Sequence, residues 1–336
     1  MIPFHGTVGF LYLAAVLGEA QPEEPASGTD ALPMGVAVPG EEAPRGPFDE
    51  GSIPPAVVEA ARASRGLPLG DRVGAVSAPF LHLPYQDGPT GEGRGPDPDP
   101  PARYDVFDCL TFVEEVAAIA LAPDPAEAGH YRTAIRFRDA RPVYDERNHF
   151  FEWEWIPRNV AGGFLEDVTE ALGGAVVHEK EVTTQVWRHW RRRPLFSLPD
   201  ERFPTGRFRL PVLPLEAALA AVPRIPPGAI VVTVRMPVPH LPVVVTHVGL
   251  TVPGRTPTMR HATRMSTHNV RDDSLAWYFA HLQEYTRWPV AGIQVLLLRE
   301  QGPRLGALAP LPDLAPPPLL PVPLPTAAPP EGPPAG

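Results

Sequence analysis

The chain contains a single cysteine, Cys109, which stands at the start of a predicted amphipathic helix. Apolar residues follow it at helical spacing as far as Leu121, and Asp105 and Asp108 are both suitable helix caps. A lone cysteine can form neither an intramolecular disulfide nor a multi-thiolate metal site. It is therefore either a small buried hydrophobe or a reactive thiol. Its position in the first helical turn favours the reactive thiol, because the unpaired N–H groups there and the helix dipole stabilise a thiolate.

Two histidines in a later β-rich segment could supply the partner that a reactive thiol needs. His247 and His261 flank the dipeptide Pro253-Gly254, which is a strong turn signal. A hairpin centred on Gly254 would make the histidines direct cross-strand neighbours on one face, with Cβ atoms roughly 4.5–5.5 Å apart. His247 could then accept the thiol proton, while His261 holds its other ring nitrogen and fixes the tautomer.

The histidine pair has two other interpretations: half-buried strand residues without chemistry, or ligands of a zinc ion. A zinc site would need Cys109 as a third ligand, and the sequence has no His-Glu-x-x-His motif. We therefore favour a thiol hydrolase in which Cys109, His247 and His261 are distant in sequence and adjacent in space. This interpretation requires no metal and no cofactor.

The order of the elements predicts the fold class. Apolar spacing predicts helices first, near residues 54–64, 109–121, 125–138 and 164–172. Beyond residue 228 the pattern turns to β-branched segments, which predict strands at 229–234, 243–252, 259–263 and 292–298. Residues 179–192 suit either a strand or a helix. Helices followed by an antiparallel sheet predict an α+β domain.

Proline marks the predicted boundaries of this domain. The chain has 336 residues, of which 48 are proline. Residues 21–52 are rich in Pro, Glu and Gly and predict a disordered lead segment, and residues 302–336 predict a disordered Pro-rich tail. A third proline-rich patch at 87–103 predicts a surface insertion. The folded domain is thus expected at 53–301, which is long enough to bury a single core.

Residues 1–20 are a possible signal peptide, because the apolar run 7–17 precedes a cleavage-like Gly18-Glu-Ala20. The usual positive n-region is missing, so a cytoplasmic location stays open, but we favour export to the periplasm or cell envelope. No apolar run reaches the roughly 18 residues that span a bilayer. The net charge of −10 argues against nucleic-acid partners. The sequence indicates no oligomeric state.

Five blocks of sequence resemble a known family and occur in the order found there. They are 80–85 (FLHLPY), 107–114 (FDCLTFVE), 147–149 (RNH) with Trp155, 246–252 (THVGLTV) and 260–263 (RHAT). Over residues 54–300 the chain resembles the NlpC/P60 superfamily of papain-like cell-wall cysteine hydrolases. Within that superfamily it is most similar to the DUF1460 amidase-like branch.

This resemblance implies an α+β papain-like fold, with a nucleophile helix packed on an antiparallel sheet or half-barrel. It implies hydrolysis of the bond between N-acetylmuramic acid and L-alanine in peptidoglycan or muropeptides. By the same resemblance Cys109 is the nucleophile, His247 the base and His261 the orienting residue. The chain departs from the family pattern at Leu110, where Thr or Ser commonly follows the cysteine, and at 227–229.

Three further residues are candidates for substrate binding: Tyr85, Asn148 and His149. Tyr85 is equally suited to packing at a strand end, and the aromatic loop around Asn148 and His149 is more often plain core. Two other functions stay open. One is an endopeptidase that cuts the γ-D-glutamyl to diamino acid bond of the stem peptide. The other is a non-catalytic wall-binding module.

Overall fold

The computed structural model describes residues 52–265 and 267–300, and within them one antiparallel sheet forms the centre. Its six strands lie in the spatial order β1-β8-β4-β5-β6-β7. A separate hairpin pairs β2 with β3. The strands are β1 (Leu165–Asp167), β2 (Val176–Val182), β3 (Gly206–Val212), β4 (Ala229–Arg235), β5 (Val245–Val252), β6 (Thr258–Thr263), β7 (Asn269–Ser274) and β8 (Val290–Leu298).

Helices cover the sheet. Helix α3 carries Cys109 at its first position and packs against β5 and β6, with α2 beside it. The helices are α1 (Pro55–Ser64), α2 (Leu69–Ser77), α3 (Cys109–Leu121), α4 (Ala128–Arg136), α5 (Ile156–Ala161), α6 (Thr184–His189), α7 (Leu215–Ala221) and α8 (Leu275–His281). This architecture is the predicted α+β arrangement of a cysteine-bearing helix packed on an antiparallel sheet.

The core beneath α7 and α8 is built from alternate strand residues. Val231, Met259 and Ile293 lie on one face of the sheet and pack against Ala218 of α7 and Phe279 of α8. Since successive strand residues point to opposite faces, the odd-numbered residues of β4, β5 and β6 share this face. His247 and His261 therefore lie on the same side of the sheet as α8.

Buried ion pairs hold helix α3 in place. The carboxylate of Glu114 accepts hydrogen bonds from Arg136 Nε at 2.7 Å and from Trp155 Nε1 at 2.9 Å, and its side chain is fully buried. Glu115, equally buried, pairs with Arg132 at 3.0 Å. These contacts tie α3 to α4 and to the segment before α5, so they fix the direction in which the first turn of α3 faces the sheet.

Several predicted elements differ from the observed ones. The predicted helix at 164–172 is instead strand β1, in which Leu165–Asp167 pair with β8, followed by one 3-10 turn at Glu170–Leu172. Gly162 and Gly163 end α5 before it. Residues 179–192 contain both a strand end and α6. The aromatic loop after residue 150 forms a π-helical turn at Phe151–Trp155.

The prediction of a surface insertion at 87–103 is wrong for part of that segment. Thr90 and Asp97 are at most 1% exposed. Arg147 Nε donates to Glu92 at 2.6 Å, and Arg147 also pairs with Asp97 at 3.5 Å. Ion pairing with a buried arginine thus packs this proline-rich segment into the domain, an interaction that composition alone does not reveal.

The predicted signal peptide (1–20) and tail (302–336) lie outside the described residues, as does nearly all of the lead segment (21–52), so the domain boundaries stay a prediction. Within residues 52–265 and 267–300, no helix combines the length and the apolar character needed to cross a membrane.

Candidate active site

The sequence around Cys109 builds a helix start by mutual capping. Asp108 Oδ1 accepts a hydrogen bond from Thr111 N–H at 2.7 Å, and Thr111 Oγ1 accepts one from Asp108 N–H at 3.0 Å. Asp108, and not Asp105, is the cap. Its second oxygen accepts from Gly88 N–H at 3.2 Å, so the 87–103 segment also contacts the helix start. Cys109 is thereby fixed at the first helical position, where its N–H has no acceptor within the helix.

The Cys109 thiol reaches the sheet beside His247. Strand β5 pairs with β6 only at Leu250–Val252, which lie opposite Thr258–Arg260. Val248 precedes this paired stretch, so it has no partner residue in β6. The N–H of Val248 donates a hydrogen bond to the sulfur of Cys109. The side chains of Tyr85 and Tyr278 also lie near the sulfur. The sulfur thus contacts the main chain at the residue that follows His247.

Burial controls the charge state of this thiol. Desolvation and then the negative charge of Asp108 raise the pKa of Cys109 well above its usual range, against the opposing hydrogen bond from Val248. The expectation that the helix start alone would stabilise a thiolate is therefore wrong, because the loss of hydration outweighs the helix dipole. Burial thus favours the neutral thiol at Cys109.

The two histidines are in contact, but their register differs from the predicted one. Leu250 pairs with Arg260, so the residue opposite His261 is Gly249. His247 lies two residues before Gly249 and is therefore a diagonal neighbour of His261. The five-residue connection 253–257 is centred on Arg255, one position later than predicted. Because a shift of two preserves the face of a strand, both rings stay on one side. His247 Nε2 lies 2.7 Å from His261 Nδ1.

A third residue, which the sequence analysis missed, extends this pair. Asp273 of β7 accepts a hydrogen bond from His261 Nε2 at 3.0 Å and pairs with Arg271 at 2.6 Å. Burial alone would raise the pKa of Asp273, but the contacts with His261 and Arg271 outweigh it and hold that pKa below its usual range. A charged Asp273 keeps the proton on Nε2 of His261, which leaves Nδ1 as the acceptor for a proton on His247 Nε2.

Burial, the neighbouring His261 and the guanidinium of Arg235 together lower the pKa of His247 well below its usual value. These contacts thus favour the neutral form of the His247 ring. With Nε2 bound to His261, its Nδ1 is the nitrogen left to take a proton. General-base activation of a nucleophile requires a neutral imidazole that can reach a neutral thiol, and His247 is the residue next to Val248, whose N–H contacts the Cys109 sulfur.

A small cavity opens beside His247. Its volume is about 30 Å³, and Tyr278 forms part of its wall through a hydroxyl bonded to Thr233 at 2.8 Å. The other residues that line it are Tyr85, Arg235, Thr246, His247, Thr263, Arg264, Met265, Leu282 and Tyr285. Within the described residues, no group of three or more His, Cys, Asp or Glu side chains is arranged to hold a metal ion.

A family model whose description reads "AmiA-like: N-acetylmuramoyl-L-alanine amidase-like" matches residues 75–284, a range that contains Cys109, His247, His261 and Asp273. The chain belongs to the AmiA-like family. This confirms the predicted resemblance to the DUF1460 branch. Membership supports an amidase-like, hydrolytic activity toward peptidoglycan. No curated protein matches the chain significantly.

Solved structures share the fold of this AmiA-like chain. A DUF1460 protein from Legionella pneumophila is 22% identical, with a TM-score of 0.63 over 73% of this chain and 94% of its own. An N-acetylmuramoyl-L-alanine amidase from Bacteroides uniformis is 23% identical, with a TM-score of 0.56 over 69% and 99%. A Bacteroides fragilis protein provisionally named a xylanase is 23% identical, with a TM-score of 0.54 over 66% and 99%. The predicted α+β papain-like fold is confirmed; these likenesses concern the fold alone.

Of the predicted substrate-binding residues, only Tyr85 lies at the AmiA-like site. It lines the cavity, and Arg264 stacks on its ring at 5.4 Å. Asn148 and His149 lie elsewhere, because both are at most 5% exposed and bond to the main chain, at Ile135 and Tyr144. Neither lines the cavity beside His247, and their contacts hold the aromatic loop in place.

Proposed function

We propose that the protein is a cysteine amidase that hydrolyses the bond between N-acetylmuramic acid and L-alanine in peptidoglycan or muropeptides. One juxtaposition carries the proposal: the Cys109 thiol accepts the N–H of Val248, the residue that follows His247, and the ring of His247 bonds to His261. Membership of the AmiA-like family supports the choice of bond. In this role Cys109 is the nucleophile, His247 the base and His261 the orienting residue.

The first half of the mechanism replaces the C–N bond by a C–S bond and carries one proton from the sulfur to the amine through His247. His247 takes the proton of the Cys109 thiol as the sulfur attacks the lactyl carbonyl. The N–H groups of Cys109 and Leu110, which have no acceptor within the helix, stabilise the oxyanion. The C–N bond then breaks, the imidazolium of His247 protonates the departing amine of L-alanine, and the muramoyl group stays on the sulfur as a thioester.

The second half restores the enzyme. His247 removes a proton from a water molecule that attacks the thioester carbonyl, the C–S bond breaks, and His247 returns the proton to the departing sulfur. The products are the muramic acid carboxylate and a regenerated Cys109 thiol. Throughout both steps the ring of His261, held by Asp273, keeps His247 in the tautomer whose Nδ1 faces the reaction.

Defined muropeptides incubated with the full chain test this function, with products identified by mass spectrometry. The amidase releases the intact sugar and the intact stem peptide, whereas an endopeptidase truncates the peptide and a binding module leaves both joined. Cys109→Ala and His247→Ala are each expected to abolish turnover. His240→Gln, at an exposed histidine, serves as the matched control and is expected to stay active. A Cys109→Ala variant that still releases muramic acid would refute the assignment.

The same proposal places the protein in the cell envelope, where its substrate is assembled into the wall. Fractionation of cells that express a C-terminally tagged chain, followed by N-terminal mass analysis, tests this location. An intact chain confined to the cytoplasm would contradict it while leaving the bond specificity unaffected.

A further inference from the structure

The cavity beside His247 contains a buried positive charge. Arg235, at the end of β4, is 2% exposed. Its Nε donates to Thr246 Oγ1 at 3.2 Å, and its Nη1 donates to the carbonyl of Trp288 at 2.8 Å. The guanidinium lies over the ring of Tyr285, 4.2 Å from the centroid, and is hydrogen-bonded to that side chain. These contacts fix the orientation of the guanidinium.

This charge has no carboxylate partner among the described residues, which sets it apart from other arginines close to the site. Arg264 pairs with Asp87, and Arg260 pairs with Asp272 at 2.7 Å. Arg235 contacts only neutral groups, and none of the eleven described residues that line the cavity is acidic. Burying an unpaired charge costs several kcal/mol. An anion that bound beside Arg235 would offset part of this cost, so the cavity favours a negatively charged ligand.

The position of Arg235 relative to His247 identifies which half of the substrate this anion belongs to. Both residues line the same cavity, and the charge of Arg235 reaches the His247 ring, where it lowers the pKa. In the proposed reaction His247 protonates the departing amine, so the amine half of the substrate must lie against His247. A group on that half is therefore the one that meets Arg235.

We propose that Arg235 binds a carboxylate on the amine half of the substrate and so makes the enzyme selective for acidic leaving peptides. The inference rests on the proposed amidase function and specifies its substrate class. Two carboxylates of a muropeptide have the required chemistry: that of alanine itself, where alanine is the last residue, and the α-carboxylate of the following glutamyl residue. A planar guanidinium can hold either one through two parallel hydrogen bonds.

Matched substrates measure this selectivity in the unmodified enzyme. N-acetylmuramoyl-L-alanine is compared with its C-terminal carboxamide. N-acetylmuramoyl-L-alanyl-D-glutamate is compared with the isoglutamine form, in which the α-carboxylate alone is an amide. The charged member of at least one pair is expected to have a kcat/KM about 10- to 100-fold higher, the range for a hydrogen bond to a charged group. The pair that shows the effect identifies which carboxylate Arg235 binds.

Variants then assign the selectivity to Arg235. Arg235→Gln is expected to bring the ratio of kcat/KM for the charged and neutral substrates close to one, and Arg235→Lys to restore it in part, because lysine keeps the charge and loses the planar fork. Arg209→Gln, which removes an exposed arginine of β3, is the control and is expected to keep the full ratio. Taking a ratio within one variant cancels any loss of folded protein.

The outcomes separate the two proposals. If the unmodified enzyme cleaves neither these pairs nor the defined muropeptides, the amidase function itself fails. If it cleaves charged and neutral substrates equally well, the function stands and the role of Arg235 is refuted. Selectivity that survives unchanged in a folded and active Arg235→Gln enzyme also overturns the inference, because another group must then bind the carboxylate.

Discussion

His247 Nε2 lies 2.7 Å from His261 Nδ1 although the two residues are not directly opposite each other in the β5–β6 pair. The diagonal arrangement lets one ring stand edge-on to the other, with centroids 4.9 Å apart and planes at 76°. His261 in turn bonds to Asp273. The orientation of the proposed base therefore depends on two residues that need not touch substrate.

Replacement of Asp273 by Asn tests this dependence. An amide at position 273 can donate to His261 Nε2, which favours the wrong tautomer of His261 and misorients His247. We expect Asp273→Asn to lower kcat by roughly 10- to 100-fold, with KM nearly unchanged, since Asp273 acts only through His261. Steady-state kinetics on a muropeptide measure both constants.

The neighbouring Asp272→Asn variant is a suitable control, because Asp272 pairs with Arg260 and does not contact His261. A kcat for Asp273→Asn equal to that of the unmodified enzyme would mean that His261 keeps its orientation without the carboxylate.

Gly249 makes the diagonal contact possible. A Cβ at this position would lie 2.8 Å from His261 Cβ and 3.1 Å from the carbonyl oxygen of Arg260, both of which are closer than normal contact. We expect Gly249→Ala to destabilise the fold by about 1–3 kcal/mol through overpacking and to lower kcat by displacing His261. Urea unfolding and steady-state kinetics on the same variant check the two effects.

Gly66→Ala is the matched control, because a Cβ there meets no atom within 4 Å. If Gly249→Ala were as stable and as active as Gly66→Ala, the close approach of β6 at His261 would not be needed for catalysis.

The sequence was informative where local chemistry decides the structure. The start of α3 at Cys109 follows from its capping residues, and the contact between His247 and His261 survived an error of two residues in register because such an error keeps both on one face. The helical spacing around 109–121 and the β-branched runs after residue 228 likewise gave the correct element types.

The parts that the sequence could not reveal depend on buried charge. Strand β7 reads NVRDDS, in which only Val270 is apolar, so it lacks the alternating apolar pattern that predicts a strand. Without a predicted strand there, nothing in the sequence pointed to Asp273. Arg235 ends a strand whose other residues are apolar except for Thr233, and only the structure shows that it has no carboxylate partner among the described residues. The raised pKa of Cys109 likewise depends on how deeply the thiol is buried, and a helix-start motif does not predict burial.

The buried carboxylate of Glu114 should control the stability of the helix that carries Cys109. Glu114→Gln removes the charge that pairs with Arg136 and leaves that guanidinium, 1% exposed, with less compensation. Breaking a buried pair from one side costs about 3–5 kcal/mol. We expect a loss of that size in urea unfolding, with Glu59→Gln, at an exposed glutamate of α1, close to the unmodified protein. Equal stability of the two variants would show that the pair contributes little.

His149 should make the fold sensitive to acid. Burial, and then the charge of Arg147, lowers the pKa of His149 to about 3 from an ordinary value of 6.5. Its contribution to stability is therefore complete above pH 6.5 and is lost as the pH falls from 6.5 toward 3, because only the unfolded chain binds the proton there. The full shift corresponds to roughly 5 kcal/mol.

Urea unfolding measured between pH 7 and pH 4 tests this contribution. His149→Gln removes the titrating ring, so we expect a lower stability at pH 7 and a smaller decline toward pH 4 than in the unmodified protein. His240→Gln, at an exposed histidine, controls for the loss of an unburied imidazole and is expected to keep the original decline. A decline in His149→Gln as steep as that of the control would assign the acid sensitivity to other groups, with His247 the next to test because burial also lowers its pKa.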